Sequence, residues 1–443
     1  TIWTGFSFGK TPYPVLLFKR SETIKPYSST DENRFLRGIA FSCTFHNLTL
    51  SAFYSIKPLD ANIIDTISLQ RNVFSSFQET GYHRTNNEIA DEDAITEQAT
   101  GGTLIYQNNR LHIGSSFVHY FYNSFKQKPD DLYKKYEFYG NQLINAGVNY
   151  SYSSKKYHLY GETSWSNNAW ATINGAMLNI HPRVVLSLLQ RYYDPKFYSR
   201  YSNAVSENSR PANENAFYLG TVLHLYPHLK MTAYVDFFRF PWLTYLTQKP
   251  SSGSETMIHT DFNPASGLSF YLSIKTKSKT IDYLPEGEFI IRSQAQQITS
   301  FRFQTDWKPY KNFRFRNRLE YKYVDNQFTT DAKGYLIFQD IIFGFPRWPL
   351  DCYLRFLMFS TDNYTSRIYC YENDLLYTYT APAYYDEGYR SYIMLCYNVT
   401  NNFTLRLKIG YNVPDNSITY HSDSLNTENN QELECKLQLH ILF

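Results

Sequence analysis

Apolar and polar residues alternate one for one through most of this chain, and that period dictates strands. The last twelve residues, "ELECKLQLHILF" (432–443), put Leu433, Cys435, Leu437, Leu439, Ile441 and Phe443 in one phase. Glu432, Glu434, Lys436, Gln438 and His440 fill the other. A two-residue period sends the two sets to opposite faces of a strand, one greasy and one wet. "FTLRLKIGYN" (403–412), "FRFRNRLEYKY" (313–323) and "LSFYLSIKTK" (268–277) repeat the pattern, as does "FLRGIAFSCTF" (35–45) around Arg37.

The connections alternate too, in length. Tight turns are expected near His46-Asn47, Asn108-Asn109, Lys155-Lys156, His181-Pro182, Pro227-His228, Pro264-Ala265, Pro309-Tyr310, Trp348-Pro349 and Asn401-Asn402. Between them lie polar connections that are often longer, at 11–34, 60–94, 124–136, 198–214, 244–255 and 413–430. Short turns at one end of the strands and long loops at the other match a membrane barrel. At roughly 20 residues per strand and connection, the chain holds about 22 strands, within a range of about 20–26. That number requires an extra turn near Glu372-Asn373-Asp374 and a first strand over 1–10.

A water-soluble sandwich also alternates. Against it stand the number of strands, the lack of a linker, and aromatics near strand ends, such as Trp242, Trp307, Trp348, Tyr192-Tyr193 and Tyr384-Tyr385. Aromatics are 18% of the chain, with 41 tyrosines, which suits interfacial girdles. The mean hydropathy of −0.46 does not oppose this, because lumen-facing polar residues offset lipid-facing apolar ones. No apolar run is long enough for a transmembrane helix. The opening "TIWTGFSFGK" already reads as a strand, as expected if a leader has been removed or the chain is a fragment.

The chemistry the sequence offers is mostly electrostatic. The polar phase of neighbouring strands carries Arg292, Arg302, Lys308, Arg314, Arg316, Arg318, Lys322, Arg406 and Lys408. Facing a lumen, these form a cationic wall that favours anionic solutes. Paired instead with carboxylates such as Asp306, Glu320, Glu432 and Glu434, they form a ladder of ion pairs. Asp91, Glu92 and Asp93, beside His83 and Arg84, make an acidic extracellular loop whose spacing does not match a calcium-binding EF-hand. The polar run 206–220 reads as loop chemistry, with Arg210 and Glu214 able to pair locally. Tyrosines could also form platforms for sugars or stacked bases. The five cysteines stand singly, without metal-ligand spacing, and read as small hydrophobes. No nucleophile, zinc-peptidase or phosphate-loop motif occurs, so neither a catalytic set, a cofactor site nor a metal site is assigned. The net charge of +3 and the lack of a dense basic block give no reason to expect nucleic-acid binding by this chain alone.

A terminal alternating strand closed by phenylalanine resembles the C-terminal signal of bacterial outer-membrane proteins. By that resemblance Phe443 is the mark read by the barrel-assembly machinery. The stretches "STDENRFLRGIA" (29–40), "SSFQETGYHRTNNEIADEDAI" (75–95), "SRPANENAFYLG" (209–220), "DFFRFPWLTY" (236–245) and "RIYCYENDLLYTYTAPAYYDEGYR" (367–390) go further. They resemble large outer-membrane β-barrel proteins of Bacteroidota, usually described as helix-hairpin-helix domain-containing. Members of that family carry a signal peptide and a periplasmic DNA-binding-like part ahead of the barrel. The chain shows neither, so strands may precede Thr1 in the full product.

The reading is therefore all-β: one large closed antiparallel transmembrane β-barrel over 1–443, with short periplasmic turns and long extracellular loops, crossing the bacterial outer membrane many times. It is expected to be non-enzymatic, acting as a pore or as the membrane-embedded part of a larger envelope complex. Its expected partners are outer-membrane lipid and lipopolysaccharide, the assembly machinery, and other outer-membrane or surface lipoproteins. The alternatives are the barrel of a TonB-dependent transporter without its plug, and a DNA-uptake protein.

Overall fold

The computed structural model describes residues 10–14, 24–27, 33–64, 72–414 and 431–442. The expected first strand over 1–9, most of the loop 413–430, parts of the loop 11–34, and Phe443 lie outside them. The described strands are β1 (Gly38–Phe45), β2 (Leu48–Leu59), β3 (Ala61–Ile64), β4 (Val73–Phe77), β5 (Ile95–Gln107), β6 (Leu111–Lys126), β7 (Gly140–Ser153) and β8 (Tyr157–Ser166). They continue through β9 (Ala169–His181), β10 (Val184–Tyr193), β11 (Glu214–Tyr226), β12 (Leu229–Phe240), β13 (Ser251–Ala265), β14 (Leu268–Tyr283), β15 (Arg292–Tyr310) and β16 (Phe313–Asn326). The rest are β17 (Ala332–Gly344), β18 (Leu350–Thr361), β19 (Ile368–Tyr369), β20 (Ala383–Tyr384), β21 (Glu387–Asn398), β22 (Phe403–Pro414) and β23 (Glu432–Ile441).

Among the described residues 21 strands share one sheet, and β19 and β20 pair apart from it. The long ladders are antiparallel and join strands that follow one another, as in β5–β6, β8–β9, β16–β17 and β22–β23. The ladder passes from β2 directly to β5 and from β18 directly to β21. The intervening hairpins β3–β4 and β19–β20 belong to connections. The turn expected near Glu372–Asp374 is thus not a turn of the wall: residues 362–386 form a single connection and add no wall strands.

Most turns fall where proline, asparagine and glycine mark them. Two fall later than expected, because β13 runs through Pro264 and β15 through Pro309 before turning. At Pro309 the β15–β16 register slips between Trp307 and Tyr310, and such an irregularity tolerates a residue that cannot donate to the ladder.

The residues group into two compact units. One comprises Thr1–Val222, Tyr234–Ser254 and Thr280–Ser293; the other Leu223–Ala233, Glu255–Lys279 and Gln294–Phe443. In each, large apolar side chains stand exposed while charged ones are enclosed beside the apolar clusters. In the first, Ile39 is 76% exposed and Phe41 62%, while Arg191 is 1% exposed and Glu214 and Asp236 are fully buried. In the second, Leu433 is 74% and Leu437 64% exposed, while Asp340, Glu372 and Lys408 are fully buried. Apolar side chains left in water forgo roughly 1.5–3 kcal/mol each. No helix among the described residues is long and apolar enough to cross a membrane, which says nothing of strands.

Close approach fixes one glycine of the first unit. Gly175 faces Tyr160 across the β8–β9 ladder, and a Cβ there would stand 2.3 Å from the Tyr160 ring. The ring is buried and cannot swing away. Gly175→Ala should therefore lower stability by about 1–3 kcal/mol. A double-mutant cycle with Tyr160→Ala checks this: additive costs, with no coupling, would refute the contact as the cause.

Candidate functional site

In each unit the polar face of the sheet is covered by the chain's own connections. In the second unit, residues 362–386 lie on it. Glu372 accepts from Arg390 Nε at 3.0 Å, Lys408 Nζ at 3.1 Å and the Tyr384 hydroxyl. Asp374 lies 3.3 Å from Lys408 Nζ and 3.0 Å from Lys436 Nζ. Gln438 brackets the Leu376 backbone, accepting from its N–H at 2.9 Å and donating to its carbonyl at 3.1 Å. Lys322 donates to the Arg367 carbonyl at 2.9 Å, and Arg355 to that of Tyr371. Ile368, Cys370 and Tyr384 pack with Leu336, Phe338, Leu357 and Phe359 in one apolar cluster. The segment comes so close at Gly334 that a Cβ there would stand 2.5 Å from the Ser366 carbonyl oxygen.

The covering segment carries its own carboxylate balance. Burial alone would raise the Glu372 carboxyl, but the Arg390 guanidinium and the Lys408 ammonium hold it below its ordinary value of 4.5.

The arginine-rich strands behave as a ladder of pairs. Arg314 binds Asp306 through Nε at 2.7 Å, and Arg316 reaches Asp306 at 3.2 Å and Asp340 at 3.7 Å. Arg302 and Arg318 both meet Glu320, at 2.8 and 3.3 Å. Arg355 grips Asp340 at 2.5 and 2.7 Å. Arg292 pairs with Glu288 at 2.7 Å in an exposed setting, and Lys308 is exposed. Arg406 stands opposite Cys396 on the β21–β22 ladder. Of the carboxylates named with them, Asp306, Glu320 and Glu434 carry ion pairs, Glu434 with Arg390 and Lys436. Glu432 accepts from the Asn412 amide at 3.5 Å and carries no ion pair among the described residues. The sequence reading missed Asp340, Glu372 and Asp374, the most buried members; Asp340 had a signal, as a lone acid in the inward phase of β17.

The first unit holds a second buried constellation. Arg191 donates to Glu214 at 2.9 Å and forks onto both Asp236 oxygens at 3.1 and 2.9 Å. Lys10 meets Asp236 at 2.5 Å and also contacts Glu207. Residues 194–213 bend onto the same face. The Tyr198 carbonyl accepts from Asn145 at 2.9 Å and Ser166 at 2.5 Å, and Glu97 gathers Tyr122, Tyr201 and Arg200. Arg210 and Glu214 do not pair; Glu214 instead takes Ser206 and the Glu207 N–H.

Asp91, Glu92 and Asp93 lie at the end of a one-turn helix (Asn86–Ala90) with a Thr85–Glu88 capping box. Asp60 organises this loop, accepting from His83 and from the Asp93 N–H at 3.0 Å each. Among the described residues no three His, Cys, Asp or Glu side chains are grouped to hold a metal ion.

Exposed aromatics stand close to short turns, as expected, at Tyr226, Trp307, Tyr310 and Trp348 of the second unit. Three expected girdle members do not, among them Tyr193, which is fully buried and donates its hydroxyl to the Val205 carbonyl at 2.9 Å. Trp242 lies in a connection and lines a cleft, and Tyr384 is buried against Glu372. Their sequence neighbourhood resembles a strand end, but the connections fold inward there.

No family model matches the chain, and no curated protein matches it. Among solved structures it is similar to the ferric yersiniabactin uptake receptor FyuA of Yersinia pestis, at 8% identity over 90% of this chain and 68% of that one, with a TM-score of 0.46. It is also similar to the FrpB iron transporter of Neisseria meningitidis, at 8% identity over 85% of this chain, with a TM-score of 0.39. The chain spans 58% of the length of FrpB. A third similar structure is OmpT with loop L8 deleted, an outer membrane protein of Vibrio cholerae, at 10% identity over 71% of this chain and 93% of that one, with a TM-score of 0.35.

Proposed function

We propose that the chain is a non-enzymatic bacterial outer-membrane β-barrel of the transport class, whose lumen is occluded by its own connections. The burial pattern carries this reading. Ile39, Phe41, Leu433 and Leu437 point out, whereas Arg191, Asp236, Glu372 and Lys408 are enclosed. In water such a surface would aggregate; in hydrocarbon it is the favoured one. A sheet in hydrocarbon must close to satisfy its backbone, so the wall strands would join into one barrel over 1–443. With 362–386 and 194–213 on the polar face, the barrel would serve gated passage, or a place in a larger envelope complex, rather than free diffusion.

Reconstitution tests this. In vesicles with brominated acyl chains, emission from exposed Trp307 and Trp348 should be quenched, and the protein should migrate differently on gels before and after heating. A chain that stays monodisperse in buffer without detergent, with no quenching, would sink the proposal. In planar bilayers the intact protein should conduct far less than a variant lacking 363–385; equal conductance would mean the connection does not occlude.

A further inference from the structure

Three long connections of the first unit, together with Ser75–Phe77, enclose a cleft of about 840 Å³. Its walls come from parts of 126–137, from 195, 197–199 and 208–213, and from 242–245, and its size lies within the roughly 300–1,000 Å³ of small-ligand sites. We propose that this cleft binds an acidic oligosaccharide.

Its aromatic side is held in place. Trp242 and Tyr136 meet edge to face at 4.9 Å, as do Tyr133 and Tyr245 at 5.8 Å. Edge-to-face packing leaves a ring face of each pair clear of the other ring. Trp242 donates its indole N–H to the Leu132 carbonyl at 3.0 Å and its backbone N–H to Asn213 at 2.7 Å. Asn213, at a left-handed φ of 57°, returns its amide to the carbonyls of Trp242 and Leu243. The platform is thus ordered before any ligand arrives.

Cations surround it. Lys135 stands 5.4 Å from the Trp242 ring and 5.7 Å from that of Tyr136, and Lys196 lies 5.7 Å from Tyr136. Arg210 lies over Tyr198 at 5.2 Å. Two of the cleft's acids already have partners, Asp131 with Lys134 at 2.7 Å and Glu137 with Lys126 at 4.0 Å. Among the described residues no carboxylate lies within ion-pair distance of Lys128, Lys135, Lys196 or Arg210. Positive charge without a carboxylate partner, together with the 81% exposed Tyr245 ring, suits a ligand with an apolar C–H face and a few negative groups. Ser76, Gln127, Ser199 and Ser209 on the lining supply partners for hydroxyls. A single-stranded nucleic acid would also use rings and cations. A deoxy strand, however, has no free sugar hydroxyls along its length to meet Ser76, Ser199 and Ser209 of the lining.

The cleft is built from connections, so its test does not depend on whether the strands cross a membrane. The full chain in detergent is titrated by calorimetry with tetragalacturonate, a chondroitin tetrasaccharide, maltotetraose and a thymidine hexanucleotide. Saturable binding of an acidic tetrasaccharide is expected, at least about tenfold tighter than maltotetraose. Lys128→Glu with Arg210→Glu, both on the lining, should remove that preference while leaving heat-dependent gel migration unchanged, and Trp242→Ala should abolish binding. No saturable binding of either acidic sugar, equal affinity for maltotetraose, or tighter binding of the hexanucleotide would each overturn the proposal.

Discussion

Replacing Arg191 with leucine should strongly destabilise the folded chain. The guanidinium is 1% exposed and is shared by two fully buried carboxylates, Glu214 and Asp236. Its removal leaves those charges without their main partner, and breaking a buried pair this way costs about 3–5 kcal/mol. That is a large part of the roughly 5–15 kcal/mol that holds a typical domain together. Lysine should rescue poorly, because one ammonium cannot reproduce the fork onto Asp236. Urea unfolding of refolded protein reads the effect. A midpoint for Arg191→Leu within experimental error of the parent would show that the cluster contributes nothing. Adding Glu214→Leu and Asp236→Leu to Arg191→Leu should recover much of the loss, since the uncompensated charge is gone.

Glu372→Gln should release the segment 362–386 without unfolding the wall. Glu372 is fully buried and joins Arg390, Lys408 and Tyr384. The glutamine keeps the shape and loses the charge, leaving Lys408 only Asp374 and Arg390 only Glu434 as acid partners among the described residues. A local cost of about 3 kcal/mol raises the open population about a hundredfold, and cleavage of this connection by added protease should rise with it. Unchanged cleavage at 362–386 would refute the pin. The same contact sets a pH dependence. The folded carboxyl lies below its ordinary 4.5, so its stabilising contribution is complete above that value and is lost as pH falls through the lower folded value. The segment should stay protected at neutral and mildly acidic pH and become cleavable by an acid-active protease only below about 4.5.

Period-two alternation carried much of the fold. The phase of 433–441 was legible: Leu433, Cys435, Leu437 and Leu439 are exposed, while Lys436, Gln438 and His440 turn towards the segment 372–377 and Glu434 towards Arg390. Turns were legible because proline and asparagine mark them chemically. What the alternation could not convey is how a connection leaves the sheet. Residues 367–386 look like strand, turn and strand, yet they fold onto the polar face, because Glu372 and Asp374 find their cations there. Those partners lie far apart along the chain, as with Asp374 and Lys436 or Trp242 and Leu132, and no local pattern encodes them. The cationic phase of β16 was visible in sequence. That its charges are spent on Asp306, Asp340 and Glu320 required the ladder register.

The paired arginines constrain the order of assembly. Arg314 and Arg316 of β16 draw their counter-charges from β15 on one side and β17 on the other. Inserted alone, β16 would carry unbalanced cations into hydrocarbon, at about 2.5–3.5 kcal/mol each. Within the proposed topology, β15 to β17 therefore form the smallest packet in which Arg314 and Arg316 both have their counter-charges, and the wall would grow by hairpins already zipped in register rather than by single strands.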